Sequence, residues 1–153
     1  MERYIGAKII QAEPATRGKC HKGPAMLSQQ QYEEEGYKVV YPDGYESWSP
    51  KSVFEEAYKP TDGMTFGLAV EAAKKGLKIA RTGWNGKGMF VVYQKGYPQG
   101  IPSNKQTAAA WGINEGDLFR CEPYLQIKMV NGSHAMWVPS INDVLAEDWQ
   151  IVH

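Results

Sequence analysis

The nine residues from Arg81 to Met89 are the part of the sequence best suited to binding chemistry. They combine three glycines with a tryptophan, an asparagine and two cations. Glycine reaches positive φ at little steric cost and lets a ligand approach the backbone closely. The indole of Trp84 offers a flat face on which a base or a ribose can stack. The segment therefore predicts a cradle for a small molecule, with a nucleotide as the favoured class. The alternative is a tight turn whose tryptophan fills the core.

This glycine loop differs from the known phosphate-binding motifs. In a P-loop the Gly-Lys pair is followed by Ser or Thr, whereas Gly86-Lys87 is followed by Gly88. The spacing of Gly83, Gly86 and Gly88 reverses that of a dinucleotide fingerprint, and the loop precedes a predicted strand rather than a helix. Successive backbone amides still predict an anion-binding nest, to which Arg81 or Lys87 adds charge.

No local arrangement predicts catalysis, and we expect no catalytic residue, no metal site and no cofactor. Glu147 and Asp148 are adjacent, so on a strand they face opposite ways and make a poor acid–base pair. Ser140 is predicted to be a helix cap rather than a nucleophile. If the protein were an enzyme, Asp143 and Asp148 would be the carboxylates to test. The potential metal ligands are scattered, without the paired spacing of a zinc site: Cys20, His21, Cys121, His134 and His153.

Composition indicates a globular protein without strong charge. The chain has 153 residues, 42% of them apolar, and its 17 basic and 17 acidic residues cancel. A nucleic-acid polymer and an anionic membrane are therefore not expected partners. We find no transmembrane-length apolar run and no signal peptide, and two distant cysteines favour a reducing cytoplasm.

Residues 1–62 predict a small β-meander with a helix. We expect a strand over Tyr4–Ala12 and a long surface loop over Ala15–Gln31. A hairpin should form around Pro42-Asp43-Gly44, a sequence typical of turns. Ser49-Pro50 should cap and open a helix that Pro60 ends. Thr61-Asp62-Gly63 is the predicted domain boundary.

Residues 63–153 predict an α+β domain with mostly antiparallel strands and a few short helices. Asn131-Gly132 is a strong hairpin signal, and Tyr97–Pro102 is predicted to be a loop. Met89–Gln94 should be a central strand covered on both faces. The other predicted strands are Leu77–Thr82, Arg120–Val130, Ala135–Val138 and Trp149–Val152. The predicted helices follow the caps Thr65 and Ser140 and span Asn104–Trp111.

Aromatic and polar side chains in this second part could bind a nucleotide. It contains four of the five tryptophans: Trp84, Trp111, Trp137 and Trp149. We expect two of them to be buried for packing alone. Stacking contributes about 1–3 kcal/mol per base, so polar contacts must supply the rest of a tight affinity. The candidates for those contacts are Asn85, Ser140, Asn142 and Asp143, the last as an acceptor for ribose hydroxyls.

An ordered series of motifs resembles a known phage and prophage family, the second Thoeris anti-defence family. The series begins with Met64-Thr65-Phe66-Gly67 and continues with the segment from Lys78 to Met89. Trp137-Val138-Pro139-Ser140 and Leu145-Ala146-Glu147-Asp148-Trp149 complete it. The resemblance covers Met64–His153. Residues 1–62 are an additional N-terminal part of unknown role, in which Tyr37–Pro60 resembles a module found on other phage proteins.

The resemblance implies a non-enzymatic sponge that acts in the cytoplasm of an infected bacterium. Members of this family assemble as homo-oligomers, for which we favour a tetramer. They sequester cyclic nucleotide immune signals, notably cyclic ADP-ribose isomers and in some members cyclic dinucleotides. Carried over by motif, the ligand residues are Trp84, Asn85, Gly86, Trp137, Ser140 and Asp143, with Arg81 and Lys87 for phosphate. The alternatives are a protein-interaction module of a phage complex and a nucleotide-processing enzyme.

Overall fold

The computed structural model describes all 153 residues, which form two compact units, Met1–Pro60 and Thr61–His153. Both units have antiparallel sheets with short helices, so the predicted α+β class is confirmed. None of the helices combines the length and the apolar character needed to cross a membrane.

The first unit has a three-stranded sheet in the order β1-β2-β3. Its strands are β1 (Gln11–Thr16), β2 (Glu35–Val40) and β3 (Glu46–Pro50), and its helices are α1 (Arg17–Cys20), α2 (Gln29–Glu33) and α3 (Lys51–Ala57). The predicted hairpin is confirmed: β2 and β3 pair, and Gly44 in the turn has φ 84°. Glycine accepts this conformation without strain.

Three predictions in this unit are wrong. The first strand is Gln11–Thr16 rather than Tyr4–Ala12. It contains Pro14, which an edge strand tolerates because a proline there need not donate to the ladder. The predicted loop Ala15–Gln31 contains α1 and the start of α2, the latter with a capping box between Ser28 and Gln31. Ser49 belongs to β3, and α3 has no side-chain cap.

The second unit is built on a five-stranded sheet in the order β10-β4-β5-β8-β9. Its strands are β4 (Lys78–Arg81), β5 (Phe90–Gln94), β8 (Tyr124–Lys128), β9 (His134–Trp137) and β10 (Trp149–Val152). The helix α4 (Phe66–Lys74) begins at Thr65, whose hydroxyl accepts a hydrogen bond from the amide of Leu68 as predicted. Its buried alanines Ala69, Ala72 and Ala73 share one side of the helix.

The register of the five-stranded sheet places the buried core side chains on one face and a second set of side chains on the opposite face. Ile79 pairs with Val91, and Val91 with Ile127, and all three belong to the buried core with the alanines of α4. Side chains alternate along a strand, so Lys78 and Phe90 point to the opposite face. The central position of β5 is confirmed. Its predicted burial on both faces is wrong, because Phe90 remains partly exposed.

A smaller β-hairpin and a helix connect β5 to β8. The predicted helix is confirmed as α5 (Lys105–Trp111), with Asn104 as its cap. The predicted loop is instead β6 (Tyr97–Pro102), which pairs with β7 (Leu118–Cys121). The single strand predicted over Arg120–Val130 is therefore divided between β7 and β8. The last helix, α6 (Ile141–Leu145), begins at the predicted cap Ser140, which forms a full capping box with Asp143.

Candidate functional site

A cavity of about 450 Å³ lies between the glycine loop and the face of the sheet opposite α4. The loop contributes Thr82, Trp84, Gly86, Lys87, Gly88 and Met89, and the strands contribute Lys78, Ala80, Arg81, Phe90, Lys128, Gln150 and Val152, with His153 following β10. Pockets for small ligands typically measure about 300–1,000 Å³. The volume is therefore sufficient for a nucleotide.

The cavity is positively charged although the chain as a whole is neutral. Lys78, Lys87 and Lys128 line it, none of them forms an ion pair, and no Asp or Glu side chain lines it. The ammonium nitrogens of Lys78 and Lys128 lie 5.3 Å and 5.7 Å from the centroid of the Phe90 ring. Lys128 Nζ also donates a hydrogen bond of 3.2 Å to the carbonyl of Gly88, which ties the loop to β8.

Arg81 is engaged by two carboxylates at the base of the loop. Its Nη1 donates to Asp143 Oδ1 at 2.9 Å, and its Nε donates to Asp148 Oδ1 at 2.8 Å. The hydrogen bond to Asp148 and the one to Asp143 raise the pKa of the guanidinium above its already high value. Only 22% of the Arg81 side chain is exposed. Its charge is thus paired within the protein, and two of its five N–H donors are used there.

The anion-binding nest predicted for the glycine loop is partly occupied by the carboxylate of Asp148. The amide of Gly83 donates to Asp148 Oδ2 at 2.8 Å, and the amide of Thr82 donates to the Asp148 carbonyl at 3.0 Å. The hydrogen bond from Arg81 lowers the pKa of Asp148, against the opposing effect of burial. These contacts fix the first half of the loop to the start of β10.

Asp143 joins the loop to α6. Its Oδ1 accepts hydrogen bonds from Arg81 and from Trp84 Nε1, the latter at 3.3 Å. Its Oδ2 accepts from the amide and the hydroxyl of Ser140 at 3.1 Å and 2.8 Å. Burial raises the pKa of this carboxyl, but the hydrogen bonds from Arg81, Ser140 and Trp84 outweigh burial and hold the pKa below its ordinary value. All four donors therefore favour the ionised form.

An aromatic cluster supports the loop from the core side. Trp84 packs edge-on against Trp149 and Trp137, with centroid distances of 5.4 Å and 5.9 Å. Trp149 is fully buried, and Phe66 contacts both it and Trp137. Trp111 is 63% exposed and lies against Phe119 instead. Trp149 is thus fully buried, and Trp137 is partly buried against the same core.

The remaining glycines have separate structural roles. A Cβ on Gly86 would overlap the side chain of Met89 and would lie 2.6 Å from Val130 Cγ2. Gly88 has φ 75°, a conformation that side chains rarely adopt. Gly86 thus gives close packing and Gly88 gives the turn into β5.

Four of the eight predicted ligand residues line the cavity, namely Arg81, Trp84, Gly86 and Lys87. The other four do not. Asn85 is exposed in the loop, and Trp137 is part of the aromatic cluster. Ser140 and Asp143 form the cap of α6, so the oxygens of Asp143 are occupied by donors of the protein.

The structure adds Lys78, Phe90 and Lys128, which sequence reasoning did not select. The only local signal was the alternation of each strand, which places these residues opposite the core face. Fifty positions separate the two lysines, and both reach the Phe90 ring because β4, β5 and β8 are neighbours in the sheet.

Comparison with known proteins identifies the family of the segment that contains the glycine loop and α6. The profile described as "Thoeris anti-defense 2-like domain" matches residues 64–152. The chain belongs to this Thoeris anti-defense 2-like family. It is also similar to the protein named "Thoeris anti-defense 2" of Bacillus phage SP01, with 39% identity over 93 residues, covering 58% of this chain and 94% of that protein. The predicted family resemblance is confirmed, and the role that both comparisons support is phage anti-defence against Thoeris.

Proposed function

We propose that the protein opposes Thoeris defence by binding and sequestering cyclic nucleotide signals in the cytoplasm of the infected bacterium. The proposed ligands are cyclic ADP-ribose isomers and, as a second class, cyclic dinucleotides. The observation that carries the proposal is the cavity beside the glycine loop, which joins an indole to three lysines without acidic partners. Membership of the Thoeris anti-defense 2-like family supports the biological role.

The side chains that line the cavity match the two parts of a nucleotide, its base or ribose and its phosphates. Trp84 lines the cavity while it contacts other indoles edge-on, and we assign its ring to a base or a ribose. Stacking on one ring contributes about 1–3 kcal/mol. A nanomolar ligand requires about 12 kcal/mol, so the phosphates must contribute strongly through the lysines. Charge-assisted hydrogen bonds are suited to this because they are about twice as strong as neutral ones.

The eight predicted residues divide into contact and positioning roles. We assign ligand contact to Trp84, Gly86 and Lys87, which line the cavity, and to Asn85 in the exposed part of the loop. Arg81, Trp137, Ser140 and Asp143 hold the loop and its indole in place through the contacts described above.

Binding without turnover is supported by the hydrogen bonds and the position of the carboxylates of Asp143 and Asp148. A general base must be within hydrogen-bond reach of the proton that it abstracts. Asp143 and Asp148 already accept hydrogen bonds from Arg81, and neither lines the cavity. Their pKa values are lowered, which makes them weaker bases. We therefore propose a stoichiometric binder rather than an enzyme.

Self-association into a homo-oligomer, with a tetramer favoured, is part of the proposal. Ile141 and Leu145 are 67% and 72% exposed, and they lie four residues apart on one side of α6. Val138, two residues before the Ser140 cap of this helix, is 85% exposed. Exposed apolar side chains grouped in this way are typical of protein interfaces.

Calorimetric titration with a panel of cyclic ADP-ribose isomers and cyclic dinucleotides tests the proposal. We expect sub-micromolar affinity for at least one member and a whole-number ratio of ligand to subunits. Adenosine monophosphate and a short single-stranded DNA serve as controls and should bind weakly. No detectable binding of any cyclic nucleotide would refute sequestration and would leave a protein-interaction module as the better explanation of the exposed apolar surface.

A further inference from the structure

We propose that Lys78 and Lys128, assisted by Lys87, form a subsite for a pyrophosphate group, that is, for two linked phosphates carrying two negative charges. The inference deepens the proposed function and rests on it. It places the phosphates of the ligand on the open face of the sheet, beside Phe90, and leaves Trp84 for the base or the ribose. It favours cyclic nucleotides that contain a pyrophosphate over cyclic mononucleotides that carry one phosphate.

The sheet fixes the two lysines on either side of one aromatic ring. Phe90 is directly opposite Lys128 in the pairing of β5 with β8. Lys78 is on β4, the other neighbour of β5, and its ammonium nitrogen lies 5.3 Å from the centroid of the same ring. Groups on paired strands vary less in position than groups on a loop. The subsite is thus formed by the rigid part of the domain.

The ammonium groups retain unused hydrogen-bond donors. A lysine has three N–H donors. Lys128 uses one of them on the Gly88 carbonyl, and Lys78 forms neither a hydrogen bond nor an ion pair in the structure. Lys87 lines the same cavity and also forms no ion pair. The free donors can bind several oxygens, as a pyrophosphate requires.

Electrostatics explains why the occupant should be an anion with more than one charge. Two positive charges beside one ring repel each other, and the cation–π attraction of that ring offsets the repulsion only in part. No acidic side chain lines the cavity to neutralise them. A pyrophosphate linkage has one negative charge on each of its two phosphates, so each strand lysine would have an anionic partner. A single phosphodiester would leave one of the two lysines without a partner.

The probe for the test is inorganic pyrophosphate, compared with orthophosphate. Titrations would use the full chain, the variants Lys78→Gln, Lys128→Gln and the double variant, and the control Lys95→Gln, an exposed lysine that does not line the cavity. We expect the wild type and the control to bind pyrophosphate at least tenfold more tightly than orthophosphate. The double variant should lose at least tenfold in pyrophosphate affinity, with a comparable loss for any cyclic nucleotide that contains a pyrophosphate.

Two further variants separate charge from structure. Lys128→Gln also removes the hydrogen bond to Gly88, so Lys128→Arg should restore binding while Lys128→Gln does not. Lys78→Gln breaks no hydrogen bond of the protein, and its melting temperature should equal that of the control. It therefore keeps the test decisive even if Lys128→Gln perturbs the loop.

The outcomes distinguish this inference from the proposed function. Nucleotide binding that persists unchanged in the double variant, with no pyrophosphate binding to the wild type, would overturn the subsite and leave sequestration intact. Lysine-dependent pyrophosphate binding without binding of any cyclic nucleotide would support the subsite and refute the proposed function. Equal affinity for orthophosphate and pyrophosphate would overturn the requirement for two linked phosphates.

Discussion

Replacement of Asp143 by Asn tests the hydrogen-bond network that holds the glycine loop. All four groups that contact its carboxylate are donors: Arg81 Nη1, Trp84 Nε1, and the amide and hydroxyl of Ser140. Asn has the same shape but only one acceptor oxygen, and its NH₂ group must face donors in either orientation. Hydrogen bonds to charged groups contribute about 1.5–3 kcal/mol each, so we expect Asp143→Asn to lower the free energy of unfolding by about 2–4 kcal/mol.

Urea denaturation followed by tryptophan fluorescence is a suitable assay. Four of the five tryptophans belong to the second unit, so the signal reports mainly on the unit that contains Asp143. The matched control is Asp62→Asn, a change at an exposed position of the same unit. A difference between the two variants below about 0.5 kcal/mol would be within the range of ordinary surface substitutions, and it would refute the role of Asp143 as the link between loop and helix.

The pH dependence of the same measurement provides a second check. The pKa of Asp143 is lower in the folded protein than in the unfolded chain, where it is about 3.9. The folded state then binds fewer protons, so the stabilisation is complete above about pH 4 and is lost as pH falls through the lower, folded-state pKa. The stability difference between wild type and Asp143→Asn should shrink below pH 4. A constant difference down to acid pH would contradict the ionised network.

Three further changes test other parts of the domain. Trp84→Ala should weaken nucleotide binding at least tenfold in calorimetry, while circular dichroism shows a folded domain with a lower melting temperature. The control is Trp111→Ala. Equal nucleotide affinities of Trp84→Ala and the wild type would exclude stacking on Trp84. Gly86→Ala adds a methyl group that overlaps the ends of the Met89 and Val130 side chains, which must move to make room, so we expect the free energy of unfolding to fall by about 1 kcal/mol in urea. An unchanged urea midpoint would show that the loop is not closely packed there. Ile141→Asp should shift sedimentation toward smaller species relative to Asn142→Asp; identical sedimentation would exclude this face of α6 as an interface.

Local chemistry made much of the fold predictable. The caps at Thr65 and Ser140 and the turn at Asn131-Gly132 each depend on residues within a few positions of one another, and all three are confirmed. The same kind of signal was present in Ser28 and Gln31, which form a capping box in a segment predicted to be a loop. The strand with Pro14 was not predictable in this way, since its pairing depends on an edge position in the sheet.

The candidate site was predictable only where it is continuous in sequence. The loop residues Trp84, Gly86 and Lys87 were found because they are close together in the chain, and they line the cavity. Lys78 and Lys128 were missed because only strand pairing places both of them beside Phe90. Asp143 was selected as a ribose acceptor, yet its oxygens bind Arg81, Trp84 and Ser140. Residue type indicated a polar contact at that position but could not identify the partner.

Recovery of the bound ligand tests sequestration most directly. The protein would be saturated with a cyclic ADP-ribose isomer that it binds, freed of excess ligand, held for several hours and then heat-denatured, and the released compound would be identified by chromatography and mass spectrometry. Sequestration predicts that the compound is recovered unaltered and in whole-number ratio to the subunits. A linear or otherwise altered nucleotide in the supernatant, absent from a ligand sample heated without protein, would show turnover and would contradict the proposed sponge.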